Sequence, residues 1–173
     1  MKRLNLVMTC AFLALSACGY PYVRVYDDVD DPFHLQRMSA DSISGQWFVT
    51  ANMPTRQDDG CSHMTANLAT VDAGHVSITF QCVKNGQTIR FAGIADLAGY
   101  QTSRYDGLIQ YGDYWVIDRS PDGRTLLIGN PARASAYMLH RDRRATPEEY
   151  DWAKEVLGKN AFDIAALQRV SHW

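Results

Sequence analysis

The chain has 173 residues, with 17 Lys and Arg against 19 Asp and Glu, a formal charge of −2. That length suits one domain with a respectable core, and the acid-leaning balance argues against nucleic acid and against adhesion to anionic headgroups by charge alone. No Gly-X-Ser-X-Gly, His-Glu-X-X-His or phosphate-loop motif occurs, which removes the familiar catalytic frameworks.

At the N-terminus, Lys2 and Arg3 precede an apolar stretch, 4–15, that is too short to span a bilayer and ends in Leu15-Ser16-Ala17-Cys18. This order fits a cleaved signal over residues 1–17 better than a permanent transmembrane helix. A cysteine directly after small residues looks like a bacterial lipoprotein signal, in which the Cys18 thiol accepts the lipid. An Asp after that cysteine commonly retains such proteins in the inner membrane; here the residue is Gly19, so the expected location is the outer membrane, anchored through acylated Cys18 and facing the periplasm. Each acyl chain contributes about 0.8 kcal/mol per buried methylene, and several chains on one cysteine make the attachment effectively stable. Removing residues 1–17 leaves 156 residues and a charge of −4. Residues 18–40 are polar and acidic around Asp27, Asp28, Asp30 and Asp31, show neither period, and read as a flexible tether.

The domain is expected over 41–173. From Gly45 to about Arg141 short runs rich in Val, Ile, Thr, Phe and Tyr alternate with Asp, Gly, Asn and Pro, which predicts strands over 47–52, 64–71, 75–83, 87–97, 101–109, 113–119, 124–129 and 135–141. Asn85-Gly86 is a strong hairpin signal because both residues tolerate positive φ. Eight sequential strands bury their unpaired edges best by closing on themselves, so the fold class is all-β, an eight-stranded antiparallel up-and-down barrel. Val76, Ile78, Phe80 and Cys82 alternate and would share one face.

After Arg141 the period becomes helical. Thr146-Pro147-Glu148-Glu149 forms a capping box with proline at the first helical position, and Gly158 supplies a stop, giving one helix over 146–158. Tyr150, Ala153 and Leu157 fall on one face, suited to packing outside the barrel, and an apolar segment, 162–167, leads into an Arg169-Val170 tail. Cys10 leaves with the signal and Cys18 carries lipid, so Cys61 and Cys82 remain and read as one disulfide in an oxidising compartment. A turn centred on Ala73 places Cys82 opposite residue 63 or 64, within a small register change of Cys61, and such a bridge contributes about 2 to 4 kcal/mol.

Gly45-Gln46-Trp47 at the first strand, Tyr114-Trp115-Val116-Ile117-Asp118 in the sixth, the Gly129-Asn130-Pro131 turn, Arg141 closing the eighth strand and a tail beginning Ala161-Phe162-Asp163 occur in one order. Together they resemble the lipocalins, and within them the bacterial branch akin to apolipoprotein D, over about residues 42–170. The resemblance implies structural roles for Gly45, Trp47 and Arg141, with the arginine packed over the tryptophan as a cation–π lid at the barrel floor. It places Ala161 where the branch has glycine. Three features depart from the pattern: Ser120-Pro121-Asp122-Gly123 replaces a usual aromatic, the link around Gln110-Tyr111-Gly112 is short, and Cys61 and Cys82 are not standard for the branch. They bear on the cavity mouth and therefore on the ligand.

With Trp47 taken as inward, alternation points Val49, Ile78, Phe80, Phe91, Tyr114, Val116, Tyr137 and Leu139 into the barrel. An apolar cup with a few hydroxyls suits a fatty acid or lysophospholipid, with Tyr114 or Tyr137 available to a carboxyl or headgroup oxygen. Eight strands also permit a filled interior, which would make the chain an envelope structural or interaction protein. A third reading, a thiol-dependent lipid-modifying enzyme, needs Cys61 or Cys82 free and activated. The leading reading is a carrier of small hydrophobic ligands and not an enzyme, without metal or other cofactor, since His34, His63, His75, His140 and His172 are scattered without ligand spacing.

Overall fold

The computed structural model describes residues 34–97 and 114–172. A short helix, α1 (Ala40–Ile43), leads into β1 (Gly45–Asn52) through Gly45, whose φ of +104° is open to glycine without strain. Hairpin-linked strands follow as β2 (Ser62–Thr70), β3 (His75–Lys84) and β4 (Gln87–Asp96). Asn85 and Gly86, at φ +52° and +75°, make the tight β3–β4 turn that their sequence signals. The chain continues as β5 (Tyr114–Arg119), β6 (Thr125–Gly129) and β7 (Ala136–His140). β1 pairs with both β7 and β2, which closes the ring, and a two-residue strand, β8 (Gln168–Arg169), adds to β1.

The result is a closed barrel of seven strands with one extra strand, matching the expected barrel with a helix outside it. Pairing is antiparallel except at one join. β4 and β5 run parallel across Ala95↔Tyr114 and Asp96↔Trp115, where the sequence led us to expect antiparallel neighbours throughout. Parallel neighbours need a connection of roughly a dozen or more residues, and 16 residues of sequence separate Leu97 from Tyr114. The strand expected over 101–109 and the link at 110–112 lie outside the described residues, as do residues 1–17 and Cys18.

Two apolar layers result. Inside the ring, Trp47, Ile78, Phe80, Leu126 and Leu139 belong to one buried cluster; outside it, Ile117, Leu127 and Met138 form another with Ala153, Leu157 and Phe162. β3 alternates because only one of its faces is covered, whereas β6 and β7 are buried at every position because the helix lies over their outer face.

That helix, α2 (Pro147–Lys159), starts on the capping box: Glu149 N–H donates to Thr146 Oγ1 at 3.2 Å and Thr146 N–H donates to Glu149 Oε2 at 2.7 Å. Its end corrects the expected stop. Gly158 stays within the helix, and the reversal comes at Asn160 and Ala161, the latter at φ +59°. Ala161 N–H donates to Gly158 O at 3.0 Å and Phe162 N–H to Leu157 O at 3.1 Å, a Schellman closure whose left-handed position is filled by alanine. The closure delivers Phe162 onto β6: a Cβ on Gly129 would sit 2.5 Å from Phe162 Cζ, so the ring lies directly on glycine backbone. A 3₁₀ turn (Ile164–Ala166) then leads to β8.

The expected tether over 18–40 is also shortened at its C-terminal end. His34 N–H donates to Asn160 Oδ1 at 2.7 Å, and Gln36 N–H donates to Ile117 O at 2.9 Å. Ile117 sits at a register shift in β5, between Val116 and Asp118, where its carbonyl is open to this docking segment.

Candidate functional site

The barrel interior is bounded by a floor, a wall and a mouth. At the floor, Trp47 is fully buried and its Nε1–H donates to Ile43 O at 2.8 Å. The Arg141 guanidinium lies 3.5 Å from the Trp47 ring centroid and donates to Gln46 O at 2.9 Å and Ser44 O at 3.1 Å. A Cβ on Gly45 would stand at ordinary contact distance, 3.4 Å, from Arg141 Nη1, so it is the backbone turn that calls for glycine there. Burial, then the Arg119 charge, lowers the proton affinity of Arg141 from its ordinary value. Its two carbonyl acceptors and the ring offset that cost.

The eight wall residues come together. Val49, Ile78, Phe80, Phe91, Tyr114, Val116, Tyr137 and Leu139 all belong to the cluster inside the ring, none more than 6% exposed. Phe80 is the hub of the aromatics. It stacks on Phe91 at 4.8 Å between centroids, meets Tyr137 at 4.6 Å and stands edge-on to Tyr114 at 6.0 Å. Tyr114 and Tyr137 are themselves 5.8 Å apart. Burial, then the neighbouring Tyr114 and Asp58, pushes the Tyr137 hydroxyl far above the ordinary tyrosine range. Burial also raises Tyr114, partly offset by the neighbouring Tyr137 hydroxyl. Both hydroxyls therefore stay protonated at physiological pH and act as neutral hydrogen-bonding groups in an apolar wall.

The mouth contains the residue that sequence reasoning missed. Residues 53–61 connect β1 to β2, and Asp58 among them is 1% exposed. Its carboxylate accepts from Thr55 N–H at 2.5 Å, Thr55 Oγ1–H at 2.6 Å and Asn52 Nδ2–H at 2.9 Å, and its charge helps to raise the Tyr137 hydroxyl. An acid in a polar loop ordinarily reads as solvated. The local signal was the threonine three residues before it, flanked by Pro54 and Gly60, but its burial depends on Tyr137 from the far end of the chain.

The loop is held at two further points. Lys84 Nζ donates to Arg56 O at 3.4 Å and Gln57 O at 3.3 Å, and the Cys61–Cys82 disulfide fixes the loop's exit to β3 with a Cα–Cα distance of 5.6 Å. Cys82 faces a bulge at His63 and Met64, the opposition that the hairpin spacing gave. The bridge also removes the free nucleophile that a thiol-dependent enzyme would need.

The histidines have other occupations. His75 Nδ1 contacts Asp72 Oδ1 at 2.7 Å, His140 Nε2 contacts Glu149 Oε1 at 2.9 Å, and His172 Nε2 donates to Val49 O at 2.8 Å. Among the described residues, no group of three or more His, Cys, Asp or Glu is placed to hold a metal ion.

Comparison with known proteins gives a consistent picture. The family model for a lipocalin-like domain matches residues 38–172. Temperature-induced lipocalin-1 of Arabidopsis thaliana is 23% identical over 145 residues, covering 76% of this chain and 78% of the plant protein. Among solved structures, insecticyanin from the tobacco hornworm Manduca sexta superposes with a TM-score of 0.52 at 10% identity, covering 83% of this chain and 85% of its own. Lobster apocrustacyanin A1 does so with a TM-score of 0.57 at 8% identity, covering 77% and 79%. At such identities the structural likeness carries the fold alone. The curated relative is a plant protein, so the bacterial lipoprotein branch rests on the sequence motifs.

Proposed function

The chain belongs to the lipocalin-like family, and from that membership we propose that its barrel takes up a small hydrophobic ligand. The ligand class is an acyl-chain lipid, a fatty acid or a lysophospholipid, carried at the outer membrane by a domain anchored through acylated Cys18. One observation carries this reading: the apolar wall rises from the sealed Trp47 floor to two neutral hydroxyls, Tyr114 and Tyr137, towards the mouth. An acyl chain lying against Val49, Ile78 and Phe80 would gain about 0.8 kcal/mol per buried methylene, with its polar end at the tyrosines.

A second reading has an observation of its own. Phe80 is in ring contact with Phe91 and Tyr137 at once, so the described wall packs against itself as a filled core would. Native mass spectrometry of a soluble form starting at Gly19, challenged with palmitate and with lysophospholipid, separates the two. A stoichiometric adduct, weakened in Tyr137→Phe, supports the carrier. A clean apo mass that takes up neither lipid supports the filled-barrel envelope protein. For the anchor, Cys18→Ala should release the chain from the membrane fraction, and continued sedimentation with membranes would count against it.

A further inference from the structure

Outside the barrel, the later part of β1, β8 with the tail behind it, and the start of α2 border a groove of about 290 Å³. Its charge is one-sided. Arg143, Arg144 and Arg169 line it with Tyr150, Val170 and His172, and no Asp or Glu among the described residues does. Of the acids close in sequence, Asp142 pairs with Arg124, Glu149 with His140 and the Thr146 N–H, and Asp151 with Lys154, while exposed Glu148 does not line the groove. The arginines make ring contacts instead. Arg169 lies 4.3 Å from the Tyr150 centroid and Arg143 lies 5.7 Å from that of Phe48, and none of the three has a carboxylate partner among the described residues. His172 reports the same local field. Burial lowers its proton affinity, the Val49 carbonyl opposes this, and the charges of His63 and Arg143 lower it further. In a chain of net charge −2, this is a local cationic excess that its own side chains leave uncompensated.

We propose that this groove binds a phosphate-bearing anion, either a soluble phosphomonoester or the phosphate of a lipid headgroup, between Arg143, Arg144 and Arg169. Guanidinium forks match the oxygens of a phosphate, and a dianion answers several cations where a single carboxylate answers one. A water molecule occupies about 30 Å³ of liquid, so about 290 Å³ holds a phosphate together with a glycerol-sized group against the Tyr150 side chain. The site does not depend on what the barrel holds. β1 separates the two, with Val49 in the interior cluster and Thr50, one residue on, lining the groove.

The test uses the full chain in neutral detergent, titrated calorimetrically with sn-glycerol 3-phosphate. The expected result is saturable 1:1 binding that weakens with added salt and falls by at least roughly tenfold in the Arg144→Gln/Arg169→Gln double variant. Arg90→Gln, an exposed arginine on β4, should bind as the parent does. Both groove arginines are exposed, and a thermal midpoint matching the parent's verifies that the double variant is folded. The Arg144→Lys/Arg169→Lys pair keeps the charge without the forks and should lose part of the affinity. A headgroup source would instead give no soluble binding but preferential sedimentation with phosphatidylglycerol over phosphatidylcholine vesicles, a preference absent in the double Gln variant. Comparing the two vesicles cancels any contribution of the anchor. Binding to neither probe, or binding indifferent to both Gln substitutions, overturns the proposal.

Discussion

Asp58→Ala should release the loop that closes the barrel mouth, at a cost the structure allows to be worked out. The carboxylate accepts three hydrogen bonds at 2.5 to 2.9 Å in a position almost without solvent. Hydrogen bonds to a charged group contribute about 1.5 to 3 kcal/mol each, but bonds sharing one acceptor group do not add. Alanine also strands the Thr55 N–H, the Thr55 hydroxyl and the Asn52 amide without their acceptor. Removing one partner of a buried charged network costs about 3 to 5 kcal/mol. Water entering at the mouth can satisfy part of what is left, so the expected loss is about 3 kcal/mol. Asp58→Asn keeps the shape and one acceptor for Thr55, but it turns an amide donor towards the donor of Asn52, and should cost about 1 to 2 kcal/mol. Urea unfolding followed by the fluorescence of buried Trp47 measures both, and amide exchange over residues 53–61 localises the effect. An alanine variant that loses less than about 1 kcal/mol and keeps loop protection would refute the assignment of Asp58 as the anchor of the mouth.

Four further outcomes are expected. The Cys61→Ala/Cys82→Ala variant opens a loop of sequence separation 21 and should lose about 3 kcal/mol in chain entropy, read as a lower urea midpoint than the oxidised parent. Ala161→Gly should stabilise by about 0.5 to 1 kcal/mol, because the alanine sits at φ +59° in the Schellman closure; a lower melting temperature would contradict the strain argument. Gly129→Ala should lose about 1 to 3 kcal/mol by driving a Cβ into the Phe162 ring, and Phe162→Leu in the same chain should recover part of it. Burial raises the pKa of Glu149, but its bonds with the Thr146 N–H and His140 leave it lowered overall, so its contribution is present above the ordinary carboxylate value near 4.3 and lost as pH falls through the folded value. Glu149→Gln should accordingly flatten the fall of stability below about pH 4.5.

Features encoded by neighbouring residues were legible in the sequence. The alternation of Val76, Ile78, Phe80 and Cys82, the Asn85-Gly86 turn and the Thr146–Glu149 capping box each lie within one element or one turn, and the structure contains all three. The Cys61–Cys82 bridge followed from counting across one hairpin. What was not legible depends on long-range contact. Gly158 has the residue type of a helix stop, but the chain turns where Phe162 can reach the backbone of Gly129, and alanine takes the left-handed position. Residues 34–40 carry no period because part of their docking uses main-chain hydrogen bonds, which leave no pattern in side chains. Asp58 resembles any loop acid until Tyr137 and Asn52 are brought against it. The groove arginines follow the same logic, since Arg143 and Arg144 meet Arg169 only when β8 pairs with β1.

The two ends of the barrel are closed by different physics, and that difference assigns them different mechanical roles. At the floor, Trp47 and Arg141 place their donors on the carbonyls of Ile43, Ser44 and Gln46, from the end of α1 through the join to the start of β1. Opening there would bare an indole, unstack a cation and break hydrogen bonds to backbone in one event. At the mouth, one carboxylate and one lysine hold a loop whose two ends are fixed independently, by Met53 N–H donating to Ala136 O at 2.8 Å and by the disulfide at Cys61. Among the described residues at this end, movement of residues 54–60, which include Gly60 at φ +75°, would need the loss of contacts centred on Asp58 rather than of any strand pairing. A ligand of the proposed class would therefore enter past this loop rather than through the floor. For a ligand whose polar group rests on Tyr114 or Tyr137, the nearby Asp58 charge, which helps to raise the Tyr137 hydroxyl, keeps that contact neutral. Such a ligand would lie beside the loop's anchor, so that uptake and loop opening would involve the same end of the barrel without any change in the strands.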